Sequence, residues 1–210
     1  MITGRQLPAV ETVVRTLGDL AGDSARVSGA AVDARDPAGA QTLVDETVRR
    51  FGGLDLLVNN AGIGVFTDVA AMSDADWERT IATNLSGVFY CTRAALPAMK
   101  QSGGGWIINI ASLAGRNYFP RGAAYCASKA GLIAFSECLM QEVRYDNIRV
   151  TVIMPGSVAT GFDPSTAGAD DSWKLASEDV AQVVSDLLRH PTRSLPSRIE
   201  IRPAQPRKSP

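Results

Sequence analysis

Histidine occurs only once in this chain, at His190 just before Pro191, and no Cys/His cluster accompanies it. The ligand sets of zinc and related metal centres are therefore missing, and no metal site is expected. Cysteine is scarce as well. Cys91, Cys126 and Cys138 are an odd number in apolar surroundings, which argues against a disulfide framework and for reduced core thiols. Neither charge sign dominates: Lys and Arg number 21, Asp and Glu 22, and the net charge is −1. That balance leaves no electrostatic footprint for nucleic acid or an anionic membrane. No apolar run approaches ~18 residues, and the N-terminus has no signal-peptide core. A soluble, cytoplasmic protein is expected.

The 210 residues, 45% hydrophobic and 20% charged, suit one domain spanning 1–210 with a sizeable core. Apolar, β-branched segments at 2–4, 26–32, 54–58, 106–111, 148–154 and 198–202 read as strands. Helical patterns fall between them at 8–20, 37–51, 73–100, 122–145 and 177–189. Ser73 is a fitting N-cap and Pro37 suits a first helical turn. Residues 157–176 are rich in Gly, Ser, Thr and Asp and read as a mobile loop, and 203–210 as a frayed tail. Strict alternation of this kind predicts the α/β class: a doubly wound, Rossmann-like parallel sheet covered on both faces. Ligands of such sheets bind at the carboxyl ends of the strands, which here carry Arg5, Asp33, Asn59–Gly62, Ser112 and Pro155–Gly156.

The stretch 105–131 carries the chemistry. A buried strand stops at Ser112, and a helix follows on which Tyr125 and Lys129, four residues apart, share one face. A free phenol titrates near ~10, too high for a base at neutral pH, and a neighbouring ammonium favours the phenolate. Ser112 is thirteen residues before Tyr125, within reach of holding a substrate oxygen against the phenol. A chance Tyr-x-x-x-Lys is expected roughly 0.08 times in this composition, so the pair gains its weight from what surrounds it.

Those surroundings are Asn59-Asn60-Ala61-Gly62, Asn84, Ser112, Tyr125-x-x-x-Lys129 and Pro155-Gly156. In order and spacing they resemble the short-chain dehydrogenase/reductase family across nearly the whole chain. The resemblance implies a nicotinamide-dependent oxidoreductase acting on a small-molecule alcohol/carbonyl pair. By that resemblance Tyr125 would exchange the proton with the substrate oxygen. Lys129 would lower the phenol pKa and bind the nicotinamide ribose, and Ser112 would orient the substrate. Asn84 would hold a proton-relay water. Asn59, Asn60, Ala61 and Gly62 would line the adenosine side, Asp33 and Ala34 would meet the adenine, and Pro155, Gly156, Val158 and Thr160 would pass the nicotinamide carboxamide. Homo-oligomers, dimer or tetramer, would form through 73–100 and 122–145, with Phe89, Phe135 and Leu139 contributing.

One family element has no counterpart. Its opening strand and Thr-Gly-x-x-x-Gly-x-Gly turn hold the pyrophosphate, whereas Gly4 is followed by Arg5-Gln6-Leu7-Pro8 and the next glycine is Gly18. Arg5 stands 28 residues before Asp33 and Asp33 stands 26 before Asn59, which puts Arg5 at the end of the second family strand. The first strand, turn and helix, roughly thirty residues, are expected to be lacking, with Met1 inside the second strand and a break in the sheet. An arginine at that strand end suits a 2′-phosphate and favours NADP(H) over NAD(H). A competing reading is a truncated, non-catalytic chain that associates through its helices.

Overall fold

The computed structural model describes residues 1–162 and 170–206. Four parallel strands form the larger sheet in the order β3-β4-β5-β6: β3 (Leu56–Asn59), β4 (Gly105–Ile110), β5 (Ile148–Pro155) and β6 (Arg198–Ile201). A separate parallel pair joins β1 (Ile2–Gly4) to β2 (Gly29–Ala31). The six main helices are α1 (Leu7–Ala21), α2 (Pro37–Phe51), α3 (Asp74–Ile81), α4 (Gly87–Gln101), α5 (Ala123–Val143) and α6 (Ser177–Leu188).

The expected break is present. Strands β1 and β3 each have a single ladder neighbour among the described residues. Val58, on the unpaired side of the larger sheet, is 39% exposed. The second strand is shorter than the pattern suggested, because Asp23 caps a 3₁₀ turn at Ser24–Arg26 and diverts the chain. What joins the two sheets is helical: buried Val44 of α2 packs with Ala94, Ala95 and Met99 of α4. Just after β2, the Ala34 carbonyl comes within 2.7 Å of where a Gly87 Cβ would stand. Only glycine permits that approach.

The two faces of the larger sheet follow strand alternation. Ile107 joins Leu139, Val143, Ile148 and Val150 in a core under α4 and α5. Its neighbours Trp106 and Ile108 point the other way, onto Leu187 and Val183 of α6. Leu139 is thus a core residue and not a surface contact, while Phe89 stays 40% exposed with Arg93 over its ring. All three cysteines are free, but Cys138 is exposed, so it is not a core thiol. No helix among the described residues is long and apolar enough to cross a membrane. Of the loop expected at 157–176, residues 163–169 lie outside the described ones, as do 207–210 of the expected tail.

Within the α4–α5 face runs a chain of buried polar groups. Asn59 Nδ2 donates to Thr92 Oγ1 (3.3 Å) and to Asn109 Oδ1 (2.8 Å). Asn109 Nδ2 donates to Ser136 Oγ (2.8 Å), which donates to the Leu132 carbonyl (2.7 Å). Removing one member strands the others without water, at ~1–3 kcal/mol per group. Asn109→Leu, which keeps the branched shape but removes the amide, is expected to lose about 2–4 kcal/mol of stability by urea unfolding; a change under about 0.5 kcal/mol would mean that the chain does not hold β4 to its helices.

Candidate active site

The buried strand β4 ends at Ile110, and the chain turns at Ser112, whose Oγ accepts from Ala114 N–H (3.1 Å). Its hydroxyl is near enough to the Tyr125 phenol to favour the phenolate. On the next turn of α5, Lys129 is only 4% exposed. Its Nζ donates to the Ile110 carbonyl (2.8 Å) and lies 5.8 Å from the Tyr125 ring centre. Ser112, Tyr125 and Lys129 therefore meet at the end of β4.

Asn84 reaches the same spot by a local irregularity. The pattern at 73–100 suggested one helix, but Ala82–Ser86 forms a π turn between α3 and α4. Such turns turn a side chain out of its regular row. Asn84, fully buried, accepts from Ile63 N–H (2.8 Å) and donates to the Ile63 carbonyl (2.9 Å) and to Ser128 Oγ (3.0 Å). Both amide protons are thus committed, so a water here would have to use the remaining acceptor capacity of its carbonyls. Asn84 Oδ1 and Lys129 Nζ lie 3.4 and 3.5 Å from the point where a Gly62 Cβ would stand, so the three residues border one small space.

A cleft of about 1110 Å³ opens above these groups. Asn60, Ser112, Tyr125, Lys129, Pro155, Gly156, Val158 and Thr160 all line it. Asn59 does not: its amide is turned into the core chain already described, because the pleat sends alternate residues to opposite faces. Gly62 and Asn84 sit behind the cleft wall through their contacts with Lys129 and Ile63, and Ala61 follows Asn60 along the same turn.

Arg5, Asp33 and Ala34 lie apart, at the ends of β1 and β2. Asp33 is clasped by Arg35, Nη2 to Oδ2 at 2.6 Å and Nε to Oδ1 at 3.0 Å. The Arg35 hydrogen bonds, with a smaller contribution from the charge of Arg5, hold the carboxyl down at about 2. Sequence reasoning missed Arg35, and it missed Ser128 as the second partner of Asn84. It also passed over the rings of Phe66 and Phe162 beside Tyr125, and of Phe119 against Phe66. Two signals were available: the small residue adjoining Lys129, and a phenylalanine in each loop that follows β3, β4 and β5.

Burial shapes both titrating groups. It lowers Lys129 from 10.5 to about 8. It pushes the Tyr125 phenol up, with the Ser112 hydroxyl pulling more weakly the other way. The expected lowering of the phenol by Lys129 is thus absent from this geometry. The ammonium is engaged by the Ile110 carbonyl, and desolvation dominates.

A parallel α/β sheet with a Ser-Tyr-Lys cluster at its carboxyl edge defines a dehydrogenase-like oxidoreductase. The family model for short chain dehydrogenases matches residues 1–170. A sepiapterin reductase of Chlorobaculum tepidum is 33% identical over 174 residues, 81% of this chain and 70% of that protein. Sulfoacetaldehyde reductase 2 of Chromohalobacter salexigens is 32% identical over 216 residues, covering 98% of this chain and 84% of the relative. Among solved structures, a metagenomic short-chain oxidoreductase in complex with NADP superposes with a TM-score of 0.82 at 30% identity, over 98% of this chain and 86% of the other. The chain belongs to the short-chain dehydrogenase family, whose members are NAD(P)-dependent oxidoreductases acting on CH–OH groups.

The Lys129 shift has a consequence for stability. Its folded pKa lies below its unfolded one, so the unfolded chain binds more protons between about 8 and 10.5. Stability from this group therefore rises with pH across that window. Urea unfolding free energies are expected to climb from pH 7.5 to 9.5 in the wild type and to lose about 2 kcal/mol of that rise in Lys129→Met. A difference between the two proteins that is constant with pH would disprove the buried ammonium.

Proposed function

We propose that the chain is an NADP(H)-dependent reductase or dehydrogenase that interconverts an alcohol and a carbonyl compound, with Tyr125 as acid–base and Ser112, Lys129 and Asn84 around it. The observation that carries this reading is the buried Lys129, tied to the end of β4 beside the Tyr125 ring, with Ser112 lining the same cleft. Burial disfavours charge on both the phenol and the ammonium, which keeps a neutral phenol in place to donate to a developing alkoxide. Ser112 holds the same oxygen by its hydroxyl. Asn84 acts chiefly as a positioning residue: by gripping Ile63 and Ser128 it fixes the wall behind Lys129.

The residues present suit a nicotinamide cofactor at both of its ends. Lys129 and the Pro155–Thr160 segment border the cleft where the ribose and carboxamide would rest, and Arg5 and Arg35 flank Asp33 at the other end. When bound, the nicotinamide supplies or accepts the hydride. Arg35 is occupied with Asp33, whereas Arg5 is exposed and in no ion pair among the described residues. That leaves Arg5 to meet a 2′-phosphate and supports NADP(H). The NADP held by the metagenomic relative points the same way.

Tyr125→Phe tests the central role because it removes only the exchangeable proton. It is expected to lower turnover by ~10²–10⁴ while cofactor affinity, by fluorescence titration, changes little. Turnover above about a hundredth of wild type would take the acid–base role from Tyr125. Arg5→Asp is expected to weaken NADPH binding and strengthen NADH binding, through one lost charge-assisted contact plus added repulsion. Unchanged affinities for both would place Arg5 on the solvated surface.

A further inference from the structure

The cleft has a second property that proton exchange does not require. Three phenyl rings, one from each of three loops, cluster at Tyr125: two against its ring and the third against one of those two. Phe66 lies edge-on at 5.5 Å between centres and Phe162 is tilted at 5.6 Å. Phe119 stands 5.9 Å from Phe66. Phe119 and Phe162 keep 44% and 39% of their surface exposed, although both line the cleft. Exposed rings that face a cavity, and not the core, are surface held available for a ligand.

The backbone is built to hold them there. A Cβ at Gly64 would come within 2.7 Å of both Phe66 and Phe162, and one at Gly122 within 2.7 Å of Phe119. Both positions must stay bare for the rings to sit as they do. Arg121, at φ 67, adopts the left-handed conformation uncommon for its residue type. In that pose its carbonyl accepts from Thr67 N–H (2.9 Å) and its guanidinium donates to the Phe66 carbonyl (3.1 Å). Two of the three loops are thereby bolted together at the point where their rings meet.

Charge in the cleft is spoken for. Among its described lining residues there is no carboxylate. Lys174 is paired with Asp171, Arg202 with Glu200, and Lys129 is bonded to Ile110. Among the described lining residues an anionic substrate would find no unpaired cation beside the rings, and a polyol would set its hydroxyls against ring faces that cannot satisfy them. The geometry points to an uncharged carbonyl compound with an aryl or other flat conjugated group next to the carbonyl, its ring seated among Phe66, Phe119 and Phe162 and its oxygen at Tyr125. This assignment rests on the acid–base reading of Tyr125 for the direction of the carbonyl.

Acetophenone and cyclohexyl methyl ketone, equal in skeleton but flat and puckered respectively, separate this idea from plain hydrophobicity. Their affinities for the full chain can be measured by ligand-observed NMR, without turnover. Acetophenone is expected to bind about tenfold tighter. Phe66→Leu, which keeps the loop apolar, is expected to bring the two affinities within about twofold. Equal binding to the wild type, or a preference that survives Phe66→Leu, overturns the aromatic seat. A preference of the expected size without any turnover of acetophenone supports the seat and counts against Tyr125 as the acid–base, so the two readings fail separately.

Discussion

The site depends on one buried run of hydrogen bonds, Thr92–Asn59–Asn109–Ser136, ending on the Leu132 carbonyl. It crosses from α4 to β3 and β4 and then to α5; α5 carries Tyr125 and Lys129, while Ser112 and Asn84 lie in the segments that adjoin β4 and α4. An apolar core in the same place would tolerate small slips between helix and sheet, since dispersion contacts are numerous and individually weak. Amides have fixed donor and acceptor directions, and without water to replace them each must meet its partner in one register. The geometry of Ser112, Tyr125 and Lys129 inherits that register from a chain of groups that do not line the cleft.

Electrostatics at the cleft floor follow from the same burial. Desolvation moves the Lys129 ammonium down and the Tyr125 phenol up, each toward its neutral form. The only opposing influence of note on the phenol is Ser112. The hydroxyl therefore tempers the phenol from the position where, in the proposed mechanism, it would also steady the substrate oxygen. Lysine influences its neighbour less through its charge than through place, since its Nζ is tied to the end of β4 and fixes how far α5 can turn.

Much of this could be read from residue order. Strand and helix alternation predicted the parallel sheet, and a thirteen-residue interval after a strand-ending Ser112 brought it onto Tyr125, because both lie at a strand's carboxyl end, where topology forces loops together. The glycine interval and the 28- and 26-residue counts located the divided sheet. What stayed hidden depends on side-chain direction or on tertiary burial. Asn59 and Asn60 look alike in the chain, but the pleat turns one into the core and leaves the other on the cleft. The π turn at Asn84 is invisible to a 3.6-residue period, because one extra residue in a turn barely disturbs the apolar pattern around it. Leu139 resembled a surface contact because α5 is apolar on nearly every side, and periodicity cannot choose a face on such a helix.

The divided sheet sets a mechanical condition on the two ends of the ligand region. The groups proposed to act on the substrate belong to the end of β4, α5 and the π turn, all within or against the four-stranded sheet. Arg5, Asp33 and Arg35 belong to the β1–β2 pair, which exchanges no ladder hydrogen bonds with that sheet. Their separation is therefore governed by helix packing, through Val44 of α2 against α4 and by the close passage of Ala34 over Gly87. Side-chain packing of this sort resists separation but yields to small rotations more readily than a continuous ladder does. A cofactor reaching from Arg5 to Lys129 would span that joint, and its binding would favour one setting of it. Chemistry at Tyr125 would keep its own geometry throughout, because none of the bonds that define it crosses from one sheet to the other.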